Sequence, residues 1–95
     1  MSYQQYGISP DLVERVKFKL KNPATKEQVK MILHGVTKYD LQDRWKVKRL
    51  IGQMSKVLNE RLSDQMEENI VQFVIAVKID PNNTFHLIKL WNMFR

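Results

Sequence analysis

The two histidines are the side chains best suited to acid–base or metal chemistry, and they stand apart in the sequence. His34 and His86 have no cysteine to join them, because the chain contains none. A zinc site needs three or four ligands at short, fixed spacings, and no such set occurs. His34 adjoins the predicted end of a helix, where a cation interacts favourably with the last carbonyls. Packing or solvent exposure explains His86, so we expect no metal and no cofactor.

The remaining residues with catalytic potential also have simpler explanations. Ser9 and Ser63 precede helical patterns and are predicted N-caps, and Ser55 lies within a helix. The three glycines are too scattered to form a phosphate-binding loop. Glu67 and Glu68 are adjacent, so on a helix they point about 100° apart. These features predict that the protein is not an enzyme.

Composition indicates a small globular protein with an uneven charge. The chain has 95 residues, of which 43% are hydrophobic, and its net charge is +6. Residues 1–56 hold 12 basic and 5 acidic residues, whereas residues 57–95 hold 4 and 5. This asymmetry is compatible with an acidic partner, whether nucleic acid, membrane surface or protein, but on charge alone the solvated faces of helices are the favoured explanation. The absence of an apolar stretch long enough for a bilayer, and of an apolar leader at the start, predicts a cytoplasmic protein without a membrane span.

Hydrophobic periodicity predicts an all-α fold. We expect a flexible N-terminal arm over residues 1–8 and a single helical domain over residues 9–95. The domain is a single compact bundle of about five short helices, predicted over residues 9–21, 25–34, 40–58, 63–79 and 83–94. Residues 73–77 resemble a buried strand, but a capped helical pattern surrounds them, which favours a helix.

Local signals set the expected helix ends. Pro10 suits the first turn of a helix, and Gly35 suits a left-handed C-terminal position. The predicted N-caps are Ser9, Thr25 (in a capping box with Gln28), Asp40 (with Thr37 as the alternative) and Ser63.

Apolar stripes indicate which helix faces are buried. The fourth helix has an apolar face wide enough for a central element. That face consists of Met66, Ile70, Val71, Phe73, Val74 and Val77. The predicted stripe of the third helix consists of Trp45, Val47, Leu50, Ile51, Met54, Val57 and Leu58.

A basic surface and a group of aromatics are the candidate binding residues. We predict that Arg44, Lys48 and Arg49 contact a protein partner, with Trp91 and Phe94 as possible anchors. Trp and Arg are enriched in interface hot spots, which supports this choice. Core packing is the favoured alternative for the two aromatics, because so small a domain needs them.

Nucleic acid is the second candidate partner. The segment around Gly35 superficially resembles a helix-turn-helix, but Lys30 and Arg44 occupy positions where that motif has buried apolar residues. The connection from Gly35 to Asp40 is also longer than the tight turn of the motif. Contacts from basic residues to phosphates would give salt-sensitive, unspecific binding. We therefore rank nucleic-acid binding below protein binding.

One stretch resembles the stage VI sporulation protein F family of endospore-forming bacteria. The resemblance runs from residue 47 to residue 81 and includes a basic, apolar helix, a short linker and a Ser-capped helix with an Ile-Val pair. The segments that carry it are Val47–Ser55, Leu62–Ser63, Glu67–Val71 and Ile79–Pro81.

The resemblance implies a small protein of the mother-cell cytoplasm that is needed late in sporulation, for spore coat assembly and maturation. It implies no catalytic residue and no cofactor. Together with the residues above, it favours a non-enzymatic protein that acts through protein–protein interaction. The alternatives are a small basic nucleic-acid-binding accessory or regulatory protein and, third, a self-assembling structural component.

Overall fold

Four α-helices build the described part of the chain. The computed structural model describes residues 3–78 and 80–81. It contains α1 (Pro10–Lys19), α2 (Pro23–Leu33), α3 (Arg44–Val57), α4 (Asp64–Val77) and two short 3-10 helices, Tyr3–Tyr6 and Asp40–Gln42. These residues contain no strand, which confirms the all-α prediction and the helical assignment of residues 73–77. The described helices number four rather than about five, since the helix predicted over residues 83–94 lies outside the described residues.

Serine caps start two of the helices, as predicted. The Ser9 hydroxyl accepts a hydrogen bond from the Leu12 N–H at 3.4 Å, and Pro10 is the first residue of α1. The Ser63 hydroxyl accepts from the Met66 N–H at 3.1 Å at the start of α4. Each bond satisfies a backbone donor that has no partner inside its helix.

The start of α2 was predicted wrongly at Thr25. Asn22 is the N-cap, and its side chain accepts a hydrogen bond from the Ala24 N–H at 2.9 Å. Pro23 is the first helical residue, where its missing N–H costs nothing. Thr25 consequently lies inside the first turn of the helix.

The start of α3 is also later than predicted. Asp43 is the N-cap, and its carboxylate accepts from the N–H groups of Trp45 (3.0 Å) and Lys46 (3.3 Å). Asp40 and Thr37 instead exchange hydrogen bonds between side chain and backbone, at 2.9 and 3.3 Å. This reciprocal pair holds the short 3-10 helix, so the capping chemistry at Asp40 belongs to that element.

Two of the helices are followed by a residue in the left-handed conformation. Gly35, just after α2, has φ +80°, as predicted. Helix α4 ends at Val77 rather than near residue 79, because Lys78 adopts φ 51° and ψ 48°. A left-handed residue cannot continue a right-handed helix.

Helix α4 is the central element, as its wide apolar face predicts. Its two sides contact separate groups of buried residues, and Ile70 packs against both groups. The first buried cluster contains Ile8, Val13 and Phe73. The second contains Val47, Ile51 and Val71.

Trp45 does not belong to the buried stripe of α3, in contrast to the prediction. Its side chain is 81% exposed, whereas Val47 is 1% exposed. Two residues along a helix turn the side chain by about 200°, so both cannot face the same core. Val47 packs against α4, and Trp45 therefore points away from it.

Residues that precede α1 lie against α4. The Tyr6 ring meets the Phe73 ring edge-on, with centroids 5.4 Å apart, and Ile8 is buried. The Asn69 side-chain amide donates a hydrogen bond to the Gly7 carbonyl at 3.3 Å. The part of the predicted arm that the structure describes is thus in contact with the helical domain.

Gly7 allows this approach, and replacing it has a predictable cost. Its φ is +79°, and an added Cβ would lie 2.9 Å from the Asn69 amide nitrogen. We expect Gly7→Ala to lower the free energy of unfolding by about 2–3 kcal/mol, from backbone strain and the displaced hydrogen bond. Gly35→Ala is the control, because Gly35 has the same φ sign with open space around it. Equal urea midpoints for the two variants would contradict the role of Asn69.

Glu60 connects α1 to the segment between α3 and α4. Its carboxylate accepts from the Arg15 Nε at 3.1 Å and forms an ion pair with Lys19. The Glu60 side chain is only 9% exposed, and these two cations hold the pKa of its carboxyl below the usual value, Lys19 more than Arg15. Asn59, with φ 53°, directs the chain into this position.

Candidate functional site

Helix α3 carries the largest net charge of the described helices, and all of its charged residues are positive. The helix has no acidic residue of its own, so any neutralising carboxylate must come from a neighbouring element. Its five cations are Arg44, Lys46, Lys48, Arg49 and Lys56. Which of them remain available to a partner is therefore decided by tertiary contacts.

Two of the predicted binding residues pair with α4. Arg44 forms an ion pair with Glu68, and the Lys48 Nζ lies 4.0 Å from a Glu67 carboxylate oxygen. The Arg44 guanidinium beside Glu68 lowers the pKa of that carboxyl. Arg44 and Lys48 thus face α4, and carboxylates of that helix neutralise much of their charge.

A third cation is held by the short 3-10 helix. The Lys46 Nζ lies 3.0 Å from an Asp40 carboxylate oxygen. The Thr37 backbone N–H, and after it Lys46, lowers the pKa of Asp40, and Asp40 in turn raises the pKa of Lys46. This pair orders the start of α3 rather than offering a free charge.

Arg49 and Lys56 have no ionic partner among the described residues. Both are exposed, and they share one side of α3 with Trp45 and Gly52. The four positions are spaced by four, three and four residues, which places them within about 60° around the helix axis. We call Trp45, Arg49, Gly52 and Lys56 the outer face of α3.

Gly52 leaves a gap between the side chains of the outer face, because glycine has no side chain. A Cβ added at this position would meet nothing within 4 Å, and the residue has ordinary helical geometry. Glycine inside a helix costs about 0.5–1 kcal/mol relative to alanine. Because no contact of the described residues requires a glycine here, the position is open to the close approach of another molecule.

A shallow groove lies beside the outer face, between α2 and α3. It measures about 550 Å³ and is lined by Met31, Ile32, Gln53, Lys56 and Val57. The Met31 side chain is 70% exposed. Since Lys56 belongs to both features, the groove and the outer face form one continuous surface.

The predicted binding residues differ in how the structure places them. Arg49 is the predicted binding residue whose charge stays unpaired within the described residues, and Trp91 and Phe94 lie outside them. Trp45 and Gly52 were not predicted as binding residues, because the side of α3 that packs against α4 is decided by the tertiary structure. Lys30 and Arg44 are exposed.

The described residues contain no group of three or more metal-ligating side chains. His34 is exposed beyond the end of α2, and the Ser55 hydroxyl donates to the Gly52 carbonyl at 2.8 Å. His86 lies outside the part that the structure covers. None of the helices described is long and apolar enough to cross a membrane.

Comparison with known proteins gives the family of the chain. The sequence pattern of stage VI sporulation protein F matches residues 13–87 of the 95. No curated protein and no solved structure matches. The match confirms the resemblance noted over residues 47–81 and extends it to α1, α2 and the segment after α4. The chain therefore belongs to the stage VI sporulation protein F family.

Proposed function

We propose that this protein is a non-enzymatic adaptor that acts late in sporulation, in spore coat assembly and maturation, by binding a protein partner. Membership of the family implies a role in sporulation. The role in the spore coat is what the family resemblance implies, and the binding of a protein partner is our inference from the surface of α3. The observation that carries it is the 81% exposed Trp45 beside the unpaired Arg49 on one helix face.

An exposed tryptophan next to an arginine is a favourable arrangement for protein recognition. A Trp side chain supplies a large, rigid apolar surface, and Arg supplies a directional charge. Trp45 and Arg49 are four residues apart, so their side chains are neighbours on the helix. Within a monomer, so large an exposed aromatic contributes nothing to the core.

The proposal is tested by replacing this pair in sporulating cells. We expect Trp45→Ala combined with Arg49→Glu to change the pattern of extractable coat proteins, with the variant present at its normal level. Truncating an interface hot spot costs at least about 2 kcal/mol of binding, or roughly thirtyfold in affinity.

The chain offers a matched control for that variant. Phe18 on α1 is 72% exposed, and the Lys21 Nζ lies 6.0 Å from its ring centroid. Phe18→Ala combined with Lys21→Glu removes an aromatic and a cation from a different surface and should leave the coat unchanged. A normal coat in the Trp45/Arg49 variant would refute the adaptor role of this face.

The alternative function is nucleic-acid binding, which the free cations and the exposed aromatic of α3 support as well. It predicts association with duplex or single-stranded DNA that weakens steeply with salt and is lost in Arg49→Glu. Our proposal predicts no such binding of a 20-base-pair duplex at low salt. We further propose that the protein resides in the mother-cell cytoplasm, which a fluorescent fusion imaged during sporulation would test.

A further inference from the structure

We propose that the outer face of α3 binds an acidic α-helix of the protein partner, with the two helices closest at Gly52. This inference rests on the proposed function and specifies the kind of partner. It combines three observations: the spacing of the four residues, the unpaired cations and the open space over the glycine.

The spacing of the outer face suits another helix. Positions 45, 49, 52 and 56 follow the four-three-four pattern by which one helix presents a straight seam to a second. The seam is about 16 Å long, because the helix rises about 1.5 Å at each of the eleven steps from position 45 to position 56. A helix partner can follow such a seam along its whole length.

Gly52 lies in the middle of this seam and sets the point of closest contact. Helix axes usually pack 8–10 Å apart, and the shorter distances occur where a small side chain faces the partner. A Cβ at Gly52 would meet no described atom within 4 Å, so the backbone is open to a neighbouring helix. Phosphate groups would gain little from such an opening, which favours a protein partner over nucleic acid.

The charges of the outer face select an acidic partner. Arg49 and Lys56 have no ionic partner within residues 3–78 and 80–81, and the nearby carboxylates of α4 and the 3-10 helix already pair with other cations. Acidic side chains opposite these two residues would supply the missing partners. A second copy docking through the same face would instead place cation against cation, which is unfavourable.

Photo-crosslinking identifies what covers the face. The photoreactive amino acid p-benzoylphenylalanine is placed at position 45, and at position 18 as the exposed aromatic control, in the full chain in sporulating cells. We expect position 45 to give an adduct whose crosslinked peptide is net negative and has helical apolar periodicity. Position 18 should not give that adduct.

Binding of the identified segment then tests the closest-contact point. A synthetic peptide of that segment is titrated against the full chain and against Gly52→Leu. We expect Gly52→Leu to raise the melting temperature, because leucine is the better helix former, and to weaken binding at least tenfold. Loss of binding in a more stable protein cannot come from misfolding. Gln28→Leu, an exposed change on α2, should bind normally.

Two results would overturn the inference. One is a crosslink from position 45 to DNA, to a second copy, to residues 82–95 of the same chain or to a protein segment without acidic residues. The other is unchanged peptide binding by Gly52→Leu. If the Trp45/Arg49 variant still disrupts the coat when the crosslinked protein segment is not acidic, or when Gly52→Leu binds normally, the adaptor function stands and only the acidic helix is refuted. A crosslink to DNA, to a second copy or to residues 82–95 would refute binding of a protein partner by this face as well. If the Trp45/Arg49 variant has a normal coat, the proposed function itself falls.

Discussion

Replacing Phe73 with alanine should remove a large part of the free energy of unfolding of this domain. The Phe73 side chain is 3% exposed and lies in the first buried cluster with Ile8 and Val13. Truncating a buried phenylalanine costs about 3–5 kcal/mol, from lost apolar burial and the cavity that remains. Small domains have only about 5–15 kcal/mol in total, so the loss is a large part of it.

The packing around Phe73 explains why this position should be so sensitive. Its ring meets the edge of Tyr6 at an interplanar angle of 70°, and α1 contributes Val13 from the other side. The alanine variant therefore loosens α4 from both the N-terminal segment and α1. We expect the fluorescence of a dye that binds exposed apolar surface to rise in this variant.

Urea unfolding followed by circular dichroism measures the effect. The same substitution at Phe18, which is 72% exposed, is the control and should change the free energy of unfolding by no more than about 0.5 kcal/mol. Coincident urea midpoints for Phe73→Ala and Phe18→Ala would show that Phe73 is not a core residue.

Replacing Glu60 with glutamine should also lower the free energy of unfolding substantially. The variant keeps the shape of the side chain but removes the charge that Arg15 and Lys19 both contact. Hydrogen bonds to charged groups contribute about 1.5–3 kcal/mol, and we expect a loss of about 1–3 kcal/mol because both cations retain access to water. The control is Glu14→Gln, since Glu14 is 71% exposed and its one ion pair within the described part of the chain is with Lys17.

The same carboxylate predicts how stability depends on pH. The pKa of Glu60 in the folded protein is below its usual value of 4.5. Its contribution is therefore complete above about pH 4.5 and is lost as the pH falls through the lowered pKa. We expect the difference between wild type and Glu60→Gln to be constant from pH 6 to pH 7 and to shrink in acid. A difference that grew in acid would contradict the ion pairs.

Local sequence signals were sufficient for most of the helical architecture. Ser9, Ser63, Pro10 and Gly35 act through groups within a few residues, so their roles were readable without the fold. The start of α2 was missed because two valid caps, Asn22 and Thr25, lie close together in the sequence. The proline directly after Asn22 favours that residue.

The distribution of charge could be read only in part. The sequence correctly showed that α3 is basic, and it could not show which of its cations are paired. Arg44 and Lys48 meet Glu68 and Glu67 because α4 packs along α3, a contact between residues about 20 positions apart.

Each residue with catalytic potential in the described part of the chain has a structural role or lies exposed. Composition and periodicity by themselves determined a small, helical, basic chain, because those properties depend on residues within one or two helical turns. Only the tertiary structure decided that Trp45 points outward and that Arg49 and Lys56 find no ionic partner in the part of the chain that it describes. The reason is physical: burial and ion pairing depend on which distant helix packs against a face, and α4 covers one side of α3 and leaves the outer face exposed.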